Sequence, residues 1–303
     1  MLRQADGIDS YKRTLAGLPV AGPRGGAYNR SMERLQDMGK EQETEQAQGR
    51  DAQAPRIVDT QSGERGGERM HRNTVLWRYL DAAKLFDFFE NATLFFCRAD
   101  HFSDKFEGAF TPTLRDQISA SYARGEIDYN YEQFKRRMRQ SVYINCWHRN
   151  QDDSAAMWAL YGKSDCAVAL TTTVGQLSDT LREADTEHEA WIARVEYVKH
   201  WSDPKLDISP DYARIFAYKT KAYEYEKEVR VIIDHTASAH AEHRVCGEHE
   251  AGLLIPVDTT RLLRSIVIAP DAPPWFEKLV RQSALRYGIK APVRRSKLAT
   301  DPI

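Results

Sequence analysis

Cysteine is scarce in this chain, and no two cysteines form a Cys-x-x-Cys pair. Cys97, Cys146, Cys166 and Cys246 lie far apart, which argues against a disulfide framework and for reduced thiols. Three of them fall in apolar runs, where a thiol acts as a small core filler. No apolar stretch approaches the ~20 residues of a membrane-spanning helix, so no membrane partner is expected. The opening Met1-Leu-Arg-Gln-Ala-Asp leads into polar sequence without a secretory signal, and a cytoplasmic location is the expectation. Charge of one sign is also lacking: the net charge of -1 argues against global steering by nucleic acid, leaving only a local basic groove open. There is no glycine-rich phosphate loop, no Gly-x-Ser-x-Gly elbow and no metalloprotease helix. Any chemistry must therefore come from acids, bases and aromatics.

Apolar residues are sparse from Met1 to about Asn73, and more than half of the chain's glycines fall there. Such a segment buries too little apolar surface to offset chain entropy, so 1–73 reads as a disordered tail and a candidate contact for a protein partner. The remainder, 74–303, reads as one α+β domain. Expected strands are Val75–Leu80, Leu94–Cys97, Ser141–Trp147, Cys166–Leu170, Trp191–Val198, Leu253–Val257, Ser265–Ala269 and Ala291–Arg294. Expected helices include Asp81–Glu90, two within Leu114–Gln140, one capped by Asp153 or Ser154 that ends near Gly162, Val174–Glu183, Pro210–Lys221 and Pro273–Tyr287. Because strands and helices intermix without strict alternation, a mixed or antiparallel sheet is expected, flanked by helices.

The stretch Lys219–Asp234 organises the rest. Its β-branched second half reads as a strand. Extending the strand period backwards sends Glu224, Glu226, Glu228, Arg230 and Ile232 to one face and Tyr223, Tyr225, Lys227, Val229, Val231 and Ile233 to the other. Neighbouring acids on one strand face need cations or retained protons, and Arg230 and Lys219 are the local candidates. An exposed edge of alternating acids and bases is the alternative.

The pattern Lys219, Tyr223, Tyr225, Glu226, Glu228, Arg230 resembles the C-terminal signature of the bacterial domain of unknown function 2971 family. Phe102-Ser-Asp-Lys-Phe-Glu-Gly108 is similar to that family's Phe-Asn-Asp-Pro-Phe-Glu motif, and Met157-Trp-Ala-Leu-Tyr161 to its Met-Trp-x-x-Tyr motif. The three occur in the same order between about Leu76 and the C-terminus. Ser103, Lys105 and Tyr223 depart from the family pattern, which has Asn, Pro and Trp there.

Grouped with these motifs are Arg78, Tyr79, Asp104, Glu107, Trp158 and Tyr161. A carboxylate can hydrogen-bond a ribose hydroxyl and stabilise an oxocarbenium-like transition state, aromatics can stack on a departing base, and Arg can hold a pyrophosphate. The layout also resembles ADP-ribosyltransferase-type toxins, which implies NAD as the nucleotide ligand, with Arg78, Tyr161 and Glu228 as early-strand base, central aromatic and late-strand acid. Glu228, Glu226 and Arg78 are the expected catalytic residues. Tyr79, Asp104, Glu107, Trp158, Tyr161, Lys219 and Arg230 are the expected substrate contacts. Two alternatives stand beside an ADP-ribose-transferring toxin or antiphage effector: a non-catalytic nucleotide- or protein-binding module, and a metal-dependent nuclease around Glu226-Lys227-Glu228. His240, His243, Cys246 and His249 recur every three residues, but their surroundings read as a polar loop, so no metal is expected.

Overall fold

A computed structural model describes residues 56–58, 70–104, 106–162, 164–184, 190–198, 208, 212–236 and 251–300. Except for residues 56–58 and 70–73, the segment read as a tail lies outside them, as does the His240–His249 stretch. Among the described residues twelve strands form in chain order: β1 Arg56–Val58, β2 Val75–Asp81, β3 Thr93–Arg98, β4 Val142–Arg149, β5 Ala167–Thr173 and β6 Ala190–Arg194, then β7 Glu196–Val198, β8 Tyr218–Thr220, β9 Glu228–Asp234, β10 Gly252–Pro256, β11 Ser265–Ile268 and β12 Val293–Arg295. Ten of them make one sheet in the order β1-β6-β9-β4-β2-β5-β11-β12, with β3 paired to β4 and β10 to β3. The β1/β6 and β11/β12 pairs are parallel and the other pairs antiparallel, so the sheet is mixed, and the fold is α+β as expected. A separate parallel pair joins β7 to β8.

The helices start where side chains can cap them. Asp81 accepts from Lys84 N to open α1 (Ala82–Asn91), and Thr111 precedes Pro112 at the start of α2 (Pro112–Ala123). Asn130 and Gln133 form a reciprocal capping box on α3 (Tyr131–Ser141). Ser154 caps the short α4 (Ala155–Met157), which widens into a π-type turn over Trp158–Gly162. Thr173 caps α5 (Val174–Glu183), and α6 (Thr259–Leu262) and α7 (Pro274–Arg286) follow among the described residues. None of the described helices is long and apolar enough to cross a membrane.

The central strands β4 and β9 pair over seven positions and divide the core by side-chain alternation. Tyr143 and Trp147 with Val229, Val231 and Ile233 face a cluster that includes Leu85, Phe88 and Phe89 of α1 and Leu177 of α5. Val142, Ile144, Cys146 and Ile232 face a second cluster with Leu114 and Ile118 of α2, Met138 of α3 and Phe216. Cys97, Cys146 and Cys166 are free thiols.

Three sequence expectations change. The single strand expected over Trp191–Val198 is two, interrupted at Val195, with β6 in the large sheet and β7 in the small one. The helix expected over Pro210–Lys221 is a 3-10 turn, Tyr212–Ala217, followed by β8. The strand read in the second half of Lys219–Asp234 is β9, but its period does not extend back over Tyr223–Lys227, because Lys221–Glu226 coils into a 3-10 turn and Lys227 takes a left-handed conformation with φ 41°.

Candidate functional site

Each of the three motifs is bent locally so that a polar side chain points inward. After β3, the Asp104 carboxylate accepts from Phe106 N at 2.9 Å and its carbonyl accepts from Glu107 N at 3.2 Å, which closes a turn that aims Glu107 into the fold. Gly108 follows at φ 67°. A Cβ there would lie 2.4 Å from Phe216 Cε1, so only glycine allows the loop to press on that ring. The π-type turn after α4 presents Tyr161. Lys219 is the middle residue of β8, Glu226 ends the next 3-10 turn, and the left-handed Lys227 turns the chain so that Glu228 and Arg230 enter β9 on one face.

These side chains meet in one hydrogen-bonded network. Tyr161 Oη donates to Glu226 Oε1 at 2.5 Å, and Lys219 Nζ donates to Glu226 Oε2 at 2.5 Å and to Glu228 Oε1 at 3.1 Å. Arg230 Nε donates to Glu228 Oε2 at 2.6 Å, while its two terminal nitrogens reach the two oxygens of Glu107, each at 2.8 Å. Arg230 also donates to the Phe216 carbonyl at 2.7 Å. Lys219 Nζ lies 3.6 Å from Glu107 and 4.5 Å from the centre of the Tyr223 ring. Glu107, Lys219, Glu226, Glu228 and Arg230 are all at most 2 % exposed, whereas Tyr161 is half-buried.

Three carboxyl groups thus face two cations, and burial decides which acid is left over. Burial alone would raise the Glu228 carboxyl, but Arg230 and Lys219 outweigh it and hold it well below the ordinary glutamate value. Glu107 behaves likewise: burial opposes ionisation, and Arg230 with Lys219 prevails. Glu226 goes the other way, raised first by burial and then by the charge of Glu228, with which it shares a hydrogen bond. Arg230 is held charged against its burial by Glu107 and Glu228, and Lys219 against its burial chiefly by Glu228. The Tyr161 hydroxyl is pushed upward by burial and by Glu226, so it acts as a donor. Of the three carboxyls, Glu226 is therefore the one that is raised, and it is bonded to the half-buried Tyr161.

The remaining expected residues stand outside the network. Arg78 lies on the opposite face of the sheet: the pairings Trp77 with His148 and His148 with Glu228 put Trp77 on the Glu228 side, so Arg78 points the other way. There its guanidinium sits 5.8 Å from the Trp147 ring centre and donates to the Cys146 carbonyl at 3.3 Å. The trio of Arg78, Tyr161 and Glu228 is therefore not assembled. Trp158 is buried, edge-on to Tyr79 at 4.8 Å, with its Nε1 donating to Asp153 at 3.3 Å; both rings are core, and the Tyr79 hydroxyl accepts from Ser154 N at 3.0 Å. Asp104 shapes the Glu107 turn.

Two participants were missed from the sequence. His148 read as the start of a polar turn, yet it is 2 % exposed at the end of β4, directly across from Glu228, with Nδ1 2.6 Å from the Glu226 carbonyl. Burial depresses its pKa, so the ring is neutral with the hydrogen on Nδ1. Tyr197, whose hydroxyl accepts from Glu228 N at 2.8 Å, sat inside what read as one continuous strand. Alternation in Ser141–Trp147, continued by one residue, would have put His148 on the side of Cys146. Among the described residues no group of three or more His, Cys, Asp or Glu is arranged to hold a metal ion. No protein-family model and no curated protein matches the chain.

Proposed function

We propose that the chain is a nucleotide-binding enzyme that takes NAD and cleaves or transfers its ADP-ribose, acting in the cytoplasm as a toxin or antiphage effector. One observation carries the reading: Glu107, Tyr161, Lys219, Glu226, Glu228 and Arg230, drawn from all three motifs that resemble the domain of unknown function 2971 family, share one hydrogen-bonded network. Glu226, bonded to the half-buried Tyr161, is the carboxylate that would hydrogen-bond a ribose hydroxyl and take the proton of the water or acceptor that bonds to C1′ as the C1′–N bond breaks and neutral nicotinamide leaves. Lys219, Arg230 and Glu107 hold Glu226 and Glu228 in position. Ribose and base suit the site better than pyrophosphate: four of the five Arg230 N–H groups already have partners, so Arg230, expected as a substrate contact, has little to offer a phosphate.

Incubating purified chain with NAD and following nicotinamide release by chromatography tests this reading. Wild type should consume NAD, and Glu226→Gln and Glu228→Gln should each slow it by roughly 10²-fold or more. Stable NAD in the presence of folded wild-type chain overturns catalysis. A second reading, a non-catalytic nucleotide- or protein-binding module, is favoured by the closure of the network, whose charged members are at most 2 % exposed. It predicts saturable nucleotide binding without nicotinamide release.

A further inference from the structure

Strand β9 takes one edge of β4 along its length, so β2 and β3 both attach to the other edge. They attach at opposite ends of it. β2 meets β4 at Leu76 with Arg149 and Trp77 with His148, and β3 meets it at Cys97 with Ile144 and Arg98 with Tyr143. Between these contacts Asn145, Cys146 and Trp147 have no strand beside them on that edge. The sheet forks there, with one branch running through β2 to β5 and the other through β3 to β10.

Side chains fill the fork. Asn145, fully buried, donates to the Phe95 carbonyl of β3 at 2.8 Å and accepts from Trp147 Nε1 at 2.6 Å. From the β2 side Arg78 reaches the Cys146 carbonyl at 3.3 Å, with its guanidinium 5.8 Å from the Trp147 ring centre. Asn145 is satisfied and Arg78 is not. Arg78 is 7 % exposed, and that one long hydrogen bond engages only one of its five N–H groups. The titratable groups that favour its charge are the thiols of Cys146 and Cys97, and no carboxylate among the described residues joins them. Burial pushes both thiols up, Cys97 to about 12, so neither supplies a negative charge.

Arg230 shows how the same fold treats a buried guanidinium elsewhere: two carboxylates and a carbonyl hold it. An arginine cannot shed its proton, and a buried charge without a counter-charge is costly. Water could accept the idle hydrogen bonds of Arg78 but would leave the charge uncancelled. A buried donor group with so few partners calls for an explanation such as an absent ligand.

We propose that the fork is a binding site for a small monovalent carboxylate, formate or acetate in size, gripped by the Arg78 guanidinium beside Trp147. A planar carboxylate matches a pair of parallel N–H groups. One negative charge cancels one guanidinium, whereas a dianion would leave an excess in a dry setting. The slight exposure of Arg78 limits the ligand to a few atoms. This site lies on the sheet face opposite the acid network and does not depend on the nucleotide reading of that network.

The test is NMR titration of the full chain with formate, acetate, sulfate and chloride at constant ionic strength, following the Arg78 Nε–H and Trp147 indole N–H signals. Formate or acetate should shift both signals saturably, with affinity about tenfold or more above that of sulfate and chloride, and should raise the melting temperature with concentration. Arg78→Met should abolish that rise, and in chloride alone it should melt no lower than wild type, since it removes a charge that nothing cancels. Signals that do not shift, sulfate or chloride acting as strongly as the carboxylates, or a rise that persists in Arg78→Met overturns the proposal. So does an Arg78→Met chain that fails to fold or melts well below wild type, because the charge then already has its partner within the fold.

Discussion

Arg230 grips Glu107 through two parallel hydrogen bonds of 2.8 Å, across 123 positions of chain. The pair is dry on both sides, and fork-to-fork contact of this kind fixes orientation as well as distance. Glu107→Ala should therefore cost about 3–5 kcal/mol, because it leaves a guanidinium buried with one carboxylate fewer. Replacing both partners, Glu107→Leu with Arg230→Met, should cost less than the sum of the two single changes. Urea denaturation of the four proteins in a double-mutant cycle measures the difference.

Stability should pass through a maximum with pH, and the two limbs have separate owners. Glu107 and Glu228 have carboxyls depressed in the fold, so their contribution is present above the ordinary value of 4.5 and is lost as pH falls through their lower folded values. His148, depressed below 6.5, also costs stability as acid forces a proton onto it. Glu226 is raised, so its contribution is complete below 4.5 and disappears as pH climbs through its higher folded value. Denaturation midpoints measured from pH 4 to pH 9 should fall on both sides, and Glu226→Gln should flatten the alkaline side alone.

Trp158→Ala should destabilise the domain by about 3–5 kcal/mol, the usual cost of emptying a large buried aromatic site. The ring packs edge-on against Tyr79 and is held by Asp153 rather than facing a ligand. A thermal melt should show the loss with or without nucleotide. A variant that melts like wild type would place the ring outside the core.

Gly108→Ala should cost about 1–3 kcal/mol, since the new methyl would overlap the Phe216 ring at a backbone angle that side chains avoid. Phe216 supplies the carbonyl that holds Arg230, so the damage should spread to the network. Relative to Glu107→Ala, the combined variant should lose less than the sum, read by chemical denaturation.

Lys227→Gly should stabilise by up to about 1 kcal/mol, because the left-handed backbone at φ 41° strains any residue with a Cβ. If the lysine side chain instead meets a ligand, the glycine variant will gain stability and lose binding. Melting and nucleotide titration on one sample separate the two.

Lys227 also explains where sequence reading stopped. Apolar runs announced β4, β5, β9 and β11, and the helix read over Val174–Glu183 is α5 to the residue. The strand period said that Glu226 and Glu228 would reach the same place, and they do share Lys219. The route differs: a 3-10 turn and one left-handed residue bring Glu226 there, and no local signal marks a lysine that adopts positive φ. Arg78 shows the other limit. Its position in β2 was legible, but which face it took depended on a two-residue pairing with β4, a non-local fact. Motif order found the acids and not the register.

The network has a schedule built into it. Glu107 and β4 leave the ribosome long before Lys219, Glu226, Glu228 and Arg230, so through the synthesis of more than a hundred residues Glu107 has none of its final partners. The middle strand of the sheet also waits for β9, through a shorter stretch of chain. A nascent chain, or a fragment ending before about residue 234, cannot close its own centre, which leaves any activity seated there switched off until β9 has been made.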